Sequence, residues 1–257
     1  MRRLHLSFAC GSLTLAGTLD TAPGHTGLLI VSGGSEIRSG SFSGQAKLAA
    51  RVAQAGFPVF RFDRRGVGDS EGEDHGFRSS TRDIANALSA FRAMAPDLDR
   101  VFAFGNCDAA SALMLTRGAG FDGLILSNPW SFEGDAEDTP PTAIRQRYEK
   151  KLKNPSEVLR LLRGGVDLRK LSRGLLKSAQ PSPGPSSLLT EMREGLENYS
   201  GSVTFLLATA DRTAQMFAEG WDPSDNRIER CEGAGHAYVE PEHRDWLEKR
   251  VLAELRS

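Results

Sequence analysis

The stretch Gly105-Asn106-Cys107-Asp108-Ala109 decides the fold prediction for this chain. It links a short apolar run, Val101–Phe104, to a helix of small residues predicted over Ala109–Thr116. A strand that enters a helix through so tight a turn strains the central residue and lifts its side chain above the carboxyl end of the sheet. Glycine and alanine at the ends of the turn leave room for the crowded backbone. The stretch therefore predicts that Cys107 is a nucleophile.

A competing interpretation treats Cys107 as a small buried apolar side chain, as many free cysteines are. The polar neighbours Asn106 and Asp108 argue against a core position. A helix that begins directly after the turn also brings its dipole and free N–H groups, which stabilise a thiolate and a developing oxyanion. The turn differs from the G-x-S-x-G pattern because cysteine replaces serine.

A cysteine nucleophile needs a base, and the base needs a group that orients it. His236 lies in the run Gly233–Ala237, directly after the last predicted strand, and is the predicted base. Its alternative is an ordinary surface histidine on a loop. The other four histidines are His5, His25, His75 and His243.

Asp211 is the predicted acid because it follows the strand Val203–Ala208 by three residues. The chain order of Cys107, Asp211 and His236 is nucleophile, acid, base. An aspartate after a strand is also a common helix N-cap, so that role stays open. Asp135 is the alternative acid.

The oxyanion hole is predicted from backbone N–H groups. One donor is Asp108, the residue after the nucleophile, and the other is Gly34 in the run Ser32–Ser35 after an apolar strand. A glycine pair after a strand can also be a plain turn.

Outside the turn, apolar runs alternate with helical patterns and predict a mainly parallel, eight-stranded sheet with helices on both faces. The first two strands, Leu4–Phe8 and Leu13–Leu19, form a hairpin. The other predicted strands are Gly27–Ser32, Pro58–Asp63, Val101–Phe104, Gly123–Ser127, Val203–Ala208 and Arg227–Cys231. Four helices are predicted over Phe42–Ala55, Thr81–Ala95, Ala109–Thr116 and Asp245–Leu255.

The region 130–200 interrupts this alternation with a polar, helical pattern and the run Pro181–Pro185. It is predicted to be a helical cap, or lid, inserted between two parts of one core domain, 1–129 and 201–257. Between Arg145 and Lys177 it holds eleven lysines and arginines against three acidic residues, a local net charge of +8. Such a run is either a solvated helix face or a docking site for an acidic partner.

Composition sets limits on the class of protein. With a net charge of −1, the chain is neither a typical nucleic-acid binder nor an acidic scaffold. Three widely spaced cysteines form no disulfide framework and no metal-ligand pattern, which favours free thiols in a reducing compartment. The apolar run after Arg2-Arg3 is too short for a secretory signal. No stretch is long enough to span a membrane, and we expect a cytoplasmic protein without a cofactor.

Four motifs together resemble the exosortase A system-associated hydrolase 1 branch of the α/β-hydrolase superfamily. They are Gly33-Gly34, the loop Arg61–Gly72, the elbow Gly105–Ser111 and Asn128-Pro129-Trp130. The resemblance implies an α/β-hydrolase fold and acyl transfer through a nucleophile, an acid and a histidine. These roles fall on Cys107, Asp211 and His236. The loop is expected to brace the structure, and a substrate is not implied.

The sequence therefore predicts a cysteine-dependent acyl hydrolase that cleaves an ester or, preferably, a thioester of a small-molecule acyl substrate. A thioester acyl-enzyme reacts readily with amines and thiols, so an acyltransferase with an amine, alcohol or thiol acceptor is the nearest alternative. The basic stretch between Arg145 and Lys177 is a candidate docking site for an acyl-carrier protein or coenzyme A. A non-catalytic binding protein on the same fold is the alternative from another class.

Overall fold

A computed structural model describes residues 1–118, 120–132 and 187–257. Its eight strands form one sheet in the order β1-β2-β4-β3-β5-β6-β7-β8. Strand β1 pairs antiparallel with β2, and β2 pairs antiparallel with β4. All other neighbouring strands are parallel. The strands are β1 Arg3–Cys10, β2 Leu13–Asp20, β3 Thr26–Val31, β4 Val59–Phe62, β5 Arg100–Asn106, β6 Gly123–Ser127, β7 Ser202–Ala208 and β8 Ile228–Cys231. The predicted fold is confirmed.

Helices cover both faces of this sheet, as two separate apolar clusters show. One cluster joins the sheet to the first and last helices, and the other joins it to the remaining four described helices. The helices are α1 Gly44–Gln54, α2 Thr81–Met94, α3 Asp108–Leu115, α4 Ser187–Glu197, α5 Arg212–Gly220 and α6 Pro241–Arg256.

Strand β3 shows why its sequence is an unbroken apolar run. Leu29 and Val31 pack into the cluster beneath α2 and α3, whereas Leu28 and Ile30 pack into the cluster beneath α1 and α6. All four side chains are fully buried, because a parallel strand is covered on both faces.

Helix α4 lies in the core, although its sequence falls within the predicted cap 130–200. Its residues Leu188, Leu189 and Met192 are buried in the cluster that contains α3. A Cβ on Gly195 would lie 2.2 Å from the carbonyl oxygen of Met114, so α4 and α3 are in close contact. This part of the predicted cap region packs against α3 in the described structure, and the domain boundaries stay a prediction.

The remainder of the predicted cap, 133–186, lies outside the described residues, together with the basic stretch and Asp135. Within the described part of the chain, no helix combines the length and apolar character needed to cross a membrane. Cys10, Cys107 and Cys231 are free thiols.

Two helices begin two or more residues away from their predicted starts, for local reasons. Helix α1 begins at Gly44 instead of Phe42, because Phe42 and Ser43 have φ angles of 53° and 56° and cannot continue a right-handed helix. Helix α6 begins at Pro241, four residues before the predicted start at Asp245, because proline is well suited to the first turn.

Candidate active site

Cys107 lies at the turn between β5 and α3 with φ 63° and ψ −130°. This conformation is rare for a residue with a side chain, so the turn is strained as predicted. The turn is so tight that a Cβ on Gly105 would lie 2.7 Å from the carbonyl carbon of Ala109. The backbone N–H of Cys107 donates to Ser127 on β6, which fixes the turn at the carboxyl edge of the sheet.

His236 and Asp211 meet at the same edge. His236 Nδ1 lies 2.9 Å from Asp211 Oδ2, and the side chain of Cys107 is close enough to influence the pKa of the imidazole. The Asp211 carboxylate accepts a second bond from the backbone N–H of Ala214 at 3.1 Å and so caps helix α5. Asp211 therefore caps α5 and contacts His236, and its role as the acid stays a prediction.

Burial by itself lowers the pKa of His236, because it disfavours the imidazolium. Hydrogen bonds to Asp211 and Cys107, together with the negative charges of both groups, outweigh burial and raise the pKa to about 10. The raised pKa therefore favours the imidazolium form of His236 at neutral pH.

Two asparagines that the sequence analysis did not assign to the site hold the His236 loop in place. The side-chain amides of Asn106 and Asn128 each donate to the carbonyl oxygen of His236 at 3.3 Å. Asn128 also donates to Asn106 Oδ1 at 2.9 Å, and its own Oδ1 accepts the N–H of Ala208 at 2.8 Å. Asn128 therefore ties the ends of three strands to the base loop.

The available signal for Asn128 was its place directly after a predicted strand. Its φ of 44° is in the left-handed region, which asparagine tolerates better than most residues. The side chain is fully buried, so its hydrogen bonds are made within the protein.

The predicted oxyanion donor Gly34 is already engaged. Its backbone N–H donates to the side chain of Asp108, at 2.6 Å from Oδ1. The role of Gly34 as an oxyanion donor stays a prediction, and in this structure the Asp108 carboxylate occupies its amide. The contact is close because Gly33 has no side chain: a Cβ there would lie 2.6 Å from the same oxygen.

Arg64 lies beside this contact and is almost fully buried. It donates to the carbonyl oxygen of Gly34 and to Ser80 Oγ, and its Nη2 is 3.8 Å from Asp108 Oδ2. Burial raises the pKa of the Asp108 carboxyl, and the charge of Arg64 and the hydrogen bond from Gly34 offset this effect only in part.

The loop Arg61–Gly72 braces the structure, as expected. Asp63 is fully buried and accepts hydrogen bonds from the backbone N–H and the guanidinium of Arg38, and from the N–H of Asp69 at 3.1 Å. These bonds hold the segments after β3 and β4 together beside the turn.

The fold is that of an α/β hydrolase. The family model described as "Alpha/beta hydrolase family" matches residues 28–250. The chain belongs to this family. No curated protein sequence matches it.

Solved structures similar to the chain share its fold at low sequence identity. The alpha/beta hydrolase GrgF from Penicillium sp. sh18 is 16% identical with a TM-score of 0.63, covering 100% of this chain and 98% of GrgF. The esterase Pf2001 of Pyrococcus furiosus is 12% identical with a TM-score of 0.63, covering 99% of this chain and 90% of the esterase. Est1E from Butyrivibrio proteoclasticus, solved with ferulic acid, is 12% identical with a TM-score of 0.61, covering 98% and 100%.

Proposed function

We propose that the chain is a cysteine-dependent acyl hydrolase acting on an ester or thioester. One observation carries this proposal: the strained Cys107 lies near His236, whose Nδ1 is 2.9 Å from the buried carboxylate of Asp211. A nucleophile, a base and an orienting acid in this order of contact form the constellation that acyl transfer requires. Similarity to a protein described as an esterase supports the ester class.

In the proposed first step, the Cys107 thiolate attacks the acyl carbon, and the carbonyl electron pair moves onto oxygen. The tetrahedral intermediate collapses and expels the alcohol or thiol, which takes its proton from the His236 imidazolium. The product is a thioester between the acyl group and Cys107.

In the second step, neutral His236 removes a proton from water, and the resulting hydroxide equivalent attacks the thioester carbon. Collapse releases the carboxylic acid and restores the thiolate beside the imidazolium. Asp211 stays ionised and holds the imidazole by Nδ1, so that its other nitrogen faces the reaction.

The oxyanion would be held by the backbone N–H of Asp108 at the start of α3 and by that of Gly34. In this proposal the acyl oxygen displaces the Asp108 carboxylate from the Gly34 amide. The substitution of cysteine for serine favours an amine or thiol acceptor as a second candidate, because thioesters react with these nucleophiles more readily than oxygen esters do.

Two further elements of the proposal derive from the sequence. We place the chain in the exosortase A system-associated hydrolase 1 branch on the strength of its four motifs. The basic stretch between Arg145 and Lys177 is the proposed docking site for an acyl-carrier protein or coenzyme A.

Intact-mass analysis with N-acetylcysteamine thioesters tests the function. We expect a transient mass gain equal to the acyl group, absent in Cys107→Ala and retained in the matched control Cys231→Ala, whose thiol is buried. Added amines then separate transfer from hydrolysis by the product formed. No adduct and no turnover with any ester or thioester would favour a non-catalytic binding protein.

A further inference from the structure

A crevice opens beside His236 on the face of the sheet that α1 and α6 cover. Its floor is apolar and consists of Leu48, Phe104 and Leu247. His236 and Asn106, the residue before Cys107, also line the crevice. An acyl chain bound at Cys107 could therefore continue into this crevice over hydrocarbon side chains.

The charges along the crevice are mostly compensated. Arg51 forms ion pairs with Asp245 at 2.7 Å and with Glu248. Lys47 Nζ donates to the carbonyl oxygen of Phe42 at 3.1 Å, and Glu36 accepts a hydrogen bond from the hydroxyl of Ser41. These groups satisfy one another without a ligand, except that Glu248 Oε2 is buried and pairs with Arg51 without a hydrogen bond.

Arg244 in the first turn of α6 also lines the crevice. Unlike Arg51 and Lys47, its side chain has no partner among the described residues. Its Nε is buried without a hydrogen-bond partner, and within the described ranges no carboxylate forms an ion pair with its guanidinium. A buried, unpaired donor on a cation is unfavourable unless a ligand completes it. A guanidinium is suited to carboxylates because it can donate two parallel hydrogen bonds.

We propose that Arg244 binds a carboxylate at the far end of the acyl chain, so that the substrates are half-esters or half-thioesters of dicarboxylic acids. This inference rests on the proposed function, because it places the other end of the acyl group at Cys107. The apolar floor favours a hydrocarbon chain in the crevice over the amide-rich pantetheine arm of coenzyme A.

Binding to the Cys107→Ala variant tests this inference independently of turnover. Calorimetry would compare the N-acetylcysteamine thioesters of glutaric and pentanoic acid, which have acyl chains of equal length and differ in the terminal carboxylate. A charge-assisted pair predicts that the glutaryl thioester binds more tightly by roughly tenfold or more. We expect this preference to disappear in Cys107→Ala/Arg244→Met and to persist in Cys107→Ala/Arg250→Met.

Arg250 is a matched control because it lies on the same helix, outside the crevice, and pairs with Glu229 at 2.7 Å. Circular dichroism would establish that each variant is folded. Equal affinity for the two thioesters, or a preference that survives Arg244→Met, would overturn the inference. So would a preference for pentanoyl-coenzyme A that depends on Arg244, because it would assign the guanidinium to phosphates of the leaving group.

Failure of the proposed function has a separate signature. If wild-type protein cleaves pentanoyl and glutaryl thioesters equally well, the hydrolase proposal stands and the role of Arg244 is rejected. If Arg244 selects the glutaryl thioester in binding but wild type turns over neither compound, the site is supported and the chemistry is rejected.

Discussion

The carboxylate of Asp108 accepts a hydrogen bond from the backbone N–H of Gly34 at 2.6 Å. The two residues are the predicted oxyanion donors through their main chains, but here the side chain of one occupies the amide of the other. In the proposed reaction, an incoming acyl oxygen would compete with this carboxyl group for the Gly34 amide. The resting site is therefore partly closed by its own carboxylate.

Asp108→Asn should raise kcat/KM. The neutral amide still accepts a bond from Gly34, but more weakly, since charge-assisted hydrogen bonds are about twice as strong as neutral ones. A difference of about 1 kcal/mol corresponds to roughly a fivefold gain. Steady-state kinetics with one thioester checks this, and Asp108→Glu, which keeps the charge, is the comparison. A lower kcat/KM in the asparagine variant would indicate that the carboxylate assists catalysis.

The same variant should unfold at a higher temperature at neutral pH. Burial raises the pKa of Asp108, so the folded state favours the protonated carboxyl. Stability from this effect is present at low pH and is lost as pH rises through the raised value. An uncharged asparagine avoids that loss. A thermal shift that is absent near pH 4 and present at pH 7 would agree with this sign.

Two substitutions at Asp211 separate its roles. Asp211→Asn keeps a good N-cap for α5 but removes the charge that orients His236, so we expect acylation of Cys107 to slow by about 10²–10⁴-fold with little change in stability. Asp211→Ala should lose the same activity and in addition about 1 kcal/mol of stability. Single-turnover acylation and denaturant unfolding measure the two effects. Equal stability of the two variants would contradict the capping bond to Ala214.

The pKa of His236 can be measured by NMR titration of its imidazole. In wild type we expect it near the raised value of about 10, and in Cys107→Ala at a lower value, because one hydrogen bond and one negative charge are removed. Asp211→Asn should lower it as well. An unshifted imidazole in wild type would contradict the proposed imidazolium.

The raised pKa also fixes the sign of a stability effect. The bond to Asp211 stabilises the folded Cys107→Ala variant fully below the ordinary histidine pKa of ~6.5, and this contribution is lost as pH rises through the folded-state value. The alanine variant is used because the Cys107 thiol then no longer contributes to the pH dependence of the unfolding free energy. Unfolding experiments above pH 6.5 should show the decline, and the double variant with His236→Gln should not.

Asn128→Asp should reduce kcat through the position of the base. The substitution keeps the acceptor for the N–H of Ala208 but removes the amide that donates to Asn106 and His236. Loss of these buried bonds should cost about 1–3 kcal/mol of stability. As a positioning residue, Asn128 should also alter the His236 titration. An unchanged titration together with a lower melting temperature would assign Asn128 a structural role only.

The fold and the order of the candidate triad could be predicted because their signals are local in the sequence. The tight turn at Cys107 needs Gly105 and Ala109, and the loops that carry Asp211 and His236 follow recognisable apolar strands. Parallel strands end at one edge of the sheet, so residues after them come together without further information.

The remaining features depend on contacts between distant segments. The Asp108 side chain reaches an amide 74 residues earlier in the chain, and no periodic pattern encodes that contact. Helix α4 was placed in the cap because its leucines show only that it is amphipathic, and not which surface buries them. The sequence does not reveal the role of Asn128, because that role depends on hydrogen bonds to residues of other strands and of the His236 loop.

Asp211 has a consequence for reading related sequences. The Asp211 carboxylate caps the N-terminus of α5 and also contacts His236. Selection for folding alone would therefore retain an acidic or amide residue at this position in a homologue that had lost the activity. The presence of an aspartate at this position in a homologue is therefore weak evidence for catalytic activity. Among the described residues, the Cys107 thiol and the His236 imidazole have no comparable structural role. Retention of both in a homologue would therefore be the better criterion for an active enzyme.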